Sequence, residues 1–427
     1  MLMANLLQDL FSIVDAIFVG RLGEEQLAAL TASGVVIGLV MVVMIGISTG
    51  TIALVARHIG SKEMLKAEND VAQALLLALI FTLVISPFFY FAAPYLLELL
   101  GAESGVVGYG EQYMRIIGIG AFTITLSISL SAALQGSGDA VTPMKILLFS
   151  TLINIALDPL LIFGIGPFPE MGVAGSSLAT VIARGVGLPL FFYVLVKDKT
   201  ILRMPWDRIK IDLRTMGAMV KIGIYSALQA LIRSISNFAL YGLAFSFGTS
   251  TAAAYGVGTR LRMSVLMIGF AFAAASATLV GQNLGAEKPD RAEKSAWGAV
   301  AFFEIILAGF MVIFLTFPEG IMKIFSEEVR VVEIGSEYVS VLGMALPFLG
   351  LSVVLSRAFG GAGSTRTPMM VTAIALIGIR IPLAYYLAST IGTYGIWYAL
   401  LASNLIEGTI IALLFRQGRW KKVKVDV

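Results

Sequence analysis

Apolar runs of about twenty residues, separated by short polar connections, cover nearly the whole chain. That is the length an α-helix needs to cross a hydrocarbon core of about 30 Å. Strands of a membrane β-barrel would alternate in polarity every second residue; these runs do not, so they are read as helices. The expected spans are 1–20, 30–56, 70–97, 112–135, 144–166, 172–196, 220–247, 254–281, 295–318, 336–359, 368–390 and 393–415. The single long polar connection, 197–219, follows the sixth span. The pattern predicts an all-α integral membrane protein with twelve transmembrane helices.

The two halves repeat. "TIALVARHIGSKEMLKAEN" from Thr51 pairs with "SATLVGQNLGAEKPDRAEK" from Ser276, "VVGYGEQYMRIIG" from Val106 with "VVEIGSEYVSVLG" from Val331, and "GSGDAVTPM" from Gly136 with "GAGSTRTPM" from Gly361, each 225 residues on (276 − 51, 331 − 106, 361 − 136). Each copy holds six spans, an even number, so both have the same orientation and should be related by a pseudo-two-fold axis along the membrane normal. The expected organisation is an N-lobe at 1–196, a cytoplasmic linker at 197–219, a C-lobe at 220–415 and a basic tail at 416–427. By the same register the first span is several residues short at its N-terminus, so its true start is expected upstream of Met1 or to have been trimmed. Residues 1–20 lack the basic n-region of a cleavable signal.

Composition agrees with lipid as the solvent. Hydrophobic residues make up 58% and charged residues 13% of 427, about half the charged share of a soluble domain. Zero cysteines and a single histidine exclude a disulfide framework, a thiol nucleophile and a multi-histidine metal cluster. The net charge of +3 is too small to argue for nucleic acid. Only Arg21, Lys323 and Arg330 lie in loops after odd-numbered spans, whereas basic residues crowd the loops after even-numbered ones and the tail. The positive-inside rule then places both termini and the linker in the cytoplasm, in a prokaryote-like inner membrane.

Against this background a few polar residues stand out. Asp15 lies in the apolar first span, where a charged carboxylate costs roughly 3 kcal/mol or more. It must face protein or water, or carry a proton. A carboxyl that loads a proton from one side and releases it to the other is what a proton-driven carrier needs; the plainer alternative is one helix-to-helix hydrogen bond. Asn154 and Asp158, four apart, share a face with Ser150. Pro159 follows and removes the hydrogen bond to the Ile155 carbonyl. These groups suit a shared proton, water or small cation, or a polar seam between helices. Ser176 and Thr180 share a face of the sixth span, where small residues more often mark close packing. In the second copy Leu240 and Leu383 replace Asp15 and Asp158, while Arg233, Glu304, Arg380 and Glu407 appear. Arg380 and Glu407 are expected to pair structurally across a short connection. Arg184 is left unassigned, with snorkelling to the nearby cytoplasmic end as the plain option; His58 is read as a solvated loop residue, and "RWKKVKV" as resting on anionic headgroups.

"VDAIFVGRLG", "LQGSGDAVTPM", "LINIALDPLLIFGIG", "GVAGSSLAT" and "AAAYGVGTRL" together resemble the multidrug and toxic compound extrusion (MATE) family, over nearly the whole chain. The resemblance implies twelve helices in two six-helix lobes, a central cavity, and export of bulky organic cations driven by inward H+ or Na+. It also implies Asp15 as the helix 1 acid, Asn154 and Asp158 as the helix 5 pair, and Ser176 and Thr180 as helix 6 hydroxyls of the coupling site. The helix 1 proline common in the family would fall before Met1, and helices 7 and 10 lack the acids of a C-lobe Na+ site. The first departure leaves the kink proposed to accompany protonation without a basis here; the second favours the proton-coupled branch, with Na+ the alternative occupant at Asp15, Asn154 and Asp158.

The expectation is a monomeric secondary multidrug antiporter that needs no cofactor. Its partners are H+ or Na+ as coupling ion, organic cations or drugs as cargo, and membrane lipids. A lipid-linked oligosaccharide flippase of the wider superfamily is the nearest alternative. It should show a strongly cationic cavity, whereas the clearest midplane charges in the sequence are acids. A membrane-embedded enzyme would need a catalytic cluster that one loop histidine cannot supply, and a channel would not need two six-helix copies.

Overall fold

The computed structural model describes residues 15–197, 199–204 and 209–423. Most of the first expected span, 1–14, lies outside the described residues; its end, 15–20, is helix α1. The chain forms two compact units, the first ending at Gly223 and the second beginning at Ile224. The first unit holds α2 (Glu24–Gly60), α3 (Met64–Leu99), α4 (Ser104–Ile119), α5 (Ala121–Ser137), α6 (Val141–Ile162) and α7 (Val173–Val196). The junction falls within α8 (Leu213–Ser246). The second unit continues with α9 (Thr249–Gly285), α10 (Pro289–Thr316), the short α11 (Pro318–Lys323) and α12 (Val329–Gly361). Then α13 (Arg366–Ala373) passes through a π-helical stretch (Ile374–Arg380) into α14 (Ile381–Ile391), and α15 (Thr393–Arg416) completes it. No strand occurs among the described residues.

Among the described residues nine of these helices, and the run Arg366–Ile391 taken as one, are each long and apolar enough to cross a membrane, and the bent pair α4–α5 brings the number to eleven when counted as one span. The outer surface agrees: Leu83, Phe91, Phe302 and Ile305 stand exposed, a distribution only a lipid solvent tolerates. Several helices outrun the expected spans. α2 and α9 run 37 residues each, about 55 Å at the α-helical rise, because charged residues end an apolar run without ending a helix.

What ends them is a turn kept in both copies. Lys62 (φ 63°) and Glu287 (φ 59°) are the two non-glycine residues in the left-handed region among the described residues, and they sit 225 apart (287 − 62). Behind each, a six-to-one bond closes the helix: the Glu63 N–H donates to the His58 carbonyl at 2.9 Å and the Lys288 N–H to that of Asn283 at 2.8 Å. This is the Schellman way of satisfying terminal carbonyls. Close packing is repeated too. A Cβ on Gly136 would come within 3.1 Å of the Ile52 carbonyl, and one on Gly361 would run into the Ala277 carbonyl, the same pair of positions in each copy.

The copies differ at one joint. α4 and α5 meet at 55° around Gly120, where a Cβ would strike the Val181 side chain. The matching residue, Ala345, lies fully buried inside the unbroken α12.

Two expectations change. His58 is buried in the last turn of α2, with Nδ1 2.6 Å from the Asp70 Oδ2 of α3. The turn between the helices is too short to hold it out in water. The C-terminal segment also docks on protein: Trp420 is buried, stacks on Phe415 and donates Nε1–H to the Phe415 carbonyl at 2.7 Å. Lys421 pairs with Asp290 and Glu293 at 2.9 and 2.7 Å.

Candidate functional site

α6 turns one polar face into the first unit. Ser150, Asn154 and Asp158 are all buried on it, as three residues four apart on a helix must share a face. Asn154 donates Nδ2–H to Asp158 Oδ1 at 3.1 Å. Pro159 supplies no N–H, so the Ile155 carbonyl loses its usual helical donor beside the acid.

From α1, the buried Asp15 brings its carboxyl beside Asp158, Asn154 and the Thr180 hydroxyl of α7. Four of the five residues expected at a coupling site thus meet, and Ser176 is buried one turn before Thr180 on α7. Asp15 Oδ1, Asp158 Oδ2, Asn154 Oδ1, Ser176 Oγ and Thr180 Oγ1 are buried and make no regular hydrogen bond within the protein. An oxygen-rich set of this kind suits a proton or a small hard cation. Two carboxyls in contact also take up protons as a pair rather than as separate acids.

Two residues join the site that the sequence reading had not placed there. Arg184 does not simply snorkel, since its charge acts on Asp15. Tyr113 of α4 is buried within electrostatic reach of both acids. A signal for Tyr113 existed, because Tyr338 occupies the same place in the second copy.

In the second unit, where Leu240 and Leu383 stand in place of the acids, Leu240 belongs to the apolar core and the partly buried Leu383 packs against it. The expected Arg380–Glu407 ion pair does not form. Glu407 instead pairs with Arg233 of α8 at 2.6 Å and accepts the Thr372 hydroxyl at 2.7 Å. Arg380 donates Nε–H to Ser403 Oγ at 2.7 Å and Nη2–H to Asn404 Oδ1 at 2.6 Å. The physical reason is local. Arg380 ends the π-helical stretch, whose wider turn rotates it relative to a regular helix, and it meets α15 one turn before Glu407. Arg262 of α9 is likewise buried and donates to Asn237 Oδ1 at 3.1 Å. The buried charges of this unit are therefore mainly cationic, not the acids that the sequence made most conspicuous. No group of three or more His, Cys, Asp or Glu residues able to hold a metal occurs among the described residues.

The pattern of the MatE family matches residues 1–160 and 226–386. The chain is 28% identical over 430 residues to the "Probable multidrug resistance protein NorM" of Thermotoga maritima, covering 98% of this chain and 90% of that protein. It is 29% identical over 402 residues to the "FAD transporter" of Shewanella oneidensis, covering 93% and 88%. Its fold superposes on a solved structure described as "Crystal structure of MATE in the bent conformation" with a TM-score of 0.92, at 24% identity, covering 98% of this chain and 92% of that one.

Proposed function

The chain belongs to the MatE family, whose members are transporters and not enzymes, and from that premise we propose that it is a secondary antiporter. It exports organic, mostly cationic compounds in exchange for H+ by alternating access between its two lobes. The observation that carries the reading is the meeting of Asp15 with Asp158, Asn154 and Thr180 in a buried set of oxygens. Protonation of the paired acids from outside and release of the proton inside would couple to outward movement of cargo, with Na+ as the alternative ion. Each proton brings about 2.3 kcal/mol per 100 mV, so one or two support gradients of about tenfold to a thousandfold for a cation whose own charge partly opposes the coupling. The protein acts in this reading as a monomer in the inner membrane, with both termini and the 197–219 linker in the cytoplasm. The relative named a multidrug resistance protein supports drug-like cargo.

A second reading has an observation of its own. The buried arginines of the second unit, and a relative named an FAD transporter, favour an anionic nucleotide-like cargo.

The test uses proteoliposomes with an imposed pH gradient and no Na+. Wild type should export a fluorescent cationic dye, and Asp15→Asn should bind the dye without moving it. Equal export by both proteins would remove Asp15 from the coupling step.

A further inference from the structure

Four helices and the π-helical stretch bring a set of hydrogen-bond donors into the second unit without matching acceptors. Arg262 and Arg380 are 6% and 2% exposed and lie within electrostatic reach of each other. Their hydrogen bonds go to Asn237, Ser403 and Asn404, all neutral. Glu407, which acts electrostatically on Arg380, already holds Arg233. Glu407 thus serves both Arg233 and Arg380, while the hydrogen bond of Arg262 goes to a neutral amide. Water or an amide can satisfy an N–H, but neither can neutralise a buried charge, and an uncompensated buried cation is strongly destabilising.

The remaining donors gather at the same place. Tyr255 and Tyr338 are both within electrostatic reach of Arg262 and Arg380, and each stacks on Trp397, at 5.8 and 4.5 Å between ring centroids. The Arg262 Nε–H, the Asn404 amide, the Trp397 Nε1–H and both tyrosine hydroxyls are buried with no partner in the protein. Amide, indole and guanidinium N–H groups can only donate. Convergent donors around two unpaired positive charges are the complement of an oxyanion, for which the guanidinium fork is suited.

The geometry points to an oxyanion site in the second unit, in which Arg262 and Arg380 hold a phosphate or carboxylate group against the Tyr255–Tyr338–Trp397 stack. It is the charge-inverted counterpart of the acid pair in the first unit. The tyrosine shared by the two copies marks the correspondence: Tyr113 lies beside the acids and Tyr338 beside the arginines. Arg233, within electrostatic reach of Arg380, keeps 30% of its side-chain surface exposed. The assignment does not rest on proton coupling through Asp15, and its test measures binding rather than transport.

The full chain in lipid nanodiscs, in chloride-free HEPES, is dialysed against labelled inorganic phosphate, with phenyl phosphate as competitor. Saturable binding by wild type is expected, weakened about tenfold or more by Arg262→Gln or Arg380→Gln, as loss of a charged hydrogen-bond donor implies. The surface variant Arg214→Gln should bind as wild type does. Competition by phenyl phosphate well below the phosphate concentration identifies a group carried on an aromatic cargo. Equal competition identifies free phosphate as the occupant. Should the arginine variants fail to fold, Trp397→Phe keeps the stack and removes one donor, and weaker phosphate binding is expected of it. Absence of saturable binding in wild type, or unchanged binding in every folded variant, overturns the site.

Discussion

Arg233 and Glu407 meet at 2.6 Å, joining α8 to α15, and the glutamate side chain is fully buried. Breaking such a pair by removing one partner costs about 3–5 kcal/mol, whereas replacing both by apolar groups can be neutral. Glu407→Leu and Arg233→Met alone should each lower the thermal unfolding midpoint of the purified protein, and the double variant should recover most of the loss. Simple addition of the two losses would mean that the pair is not the interaction at stake.

The paired acids of the first unit should fail as a unit. Asp15→Asn and Asp158→Asn should each stop pH-driven dye export while leaving dye affinity within about threefold. The double variant should be no worse than either, since residues that act together are not additive. Residual export in both singles, with losses that multiply in the double, would show two independent proton carriers.

The repeated helix contact gives a graded test. Gly361→Ala puts a methyl into the Ala277 carbonyl, whereas Gly136→Ala brings one to 3.1 Å from that of Ile52. Overpacking costs about 1–3 kcal/mol, and exchanging glycine for alanine inside a helix returns about 1 kcal/mol. Gly361→Ala should therefore be the more destabilising, with Gly136→Ala close to neutral, as read by thermal unfolding in the same detergent.

Asp212 caps the start of α8 and ties it to α3. It accepts the Thr215 hydroxyl at 2.6 Å, the Thr215 and Arg214 N–H groups, and the Asn69 amide at 3.2 Å. The Thr215 hydroxyl foremost among them holds its carboxyl below the usual carboxylate range. A depressed folded value means that the stabilisation is complete above the ordinary aspartate value of about 4 and is lost as pH falls through the folded one. Asp212→Ala should cost about 1 kcal/mol at pH 7, in line with a lost helix cap. The gap from wild type should close below about pH 4. A gap that persists in acid would assign the effect to packing instead.

The sequence exposed what local spacing controls. Asn154 and Asp158 declare a shared face by being four apart, and the 225-residue register transfers to backbone angles at Lys62 and Glu287. What it hid depends on contacts between helices. Arg380 misses Glu407 because a π-helical turn has no signature in hydropathy. His58 looked solvated because Asp70 lies across a turn, although the same bond recurs in the second copy, where Asn283 reaches Ser295 Oγ at 3.5 Å. Arg184 stays unassigned and Tyr113 unremarked for the same reason: a helix position fixes a face, not the neighbour it meets.

The break at Gly120 makes the two halves mechanically unequal. A rod interrupted at one peptide can pivot there with little disturbance to its hydrogen bonds, while α12 runs on for 33 residues and gives up at Pro347 only the bond that a proline has no N–H to donate. Tyr113 stands on the hinged half-rod, two turns from the joint and beside the acids. Tyr338 stands on the unbroken α12. A change of charge at Asp15 and Asp158 thus falls beside the half-rod that ends at the Gly120 bend.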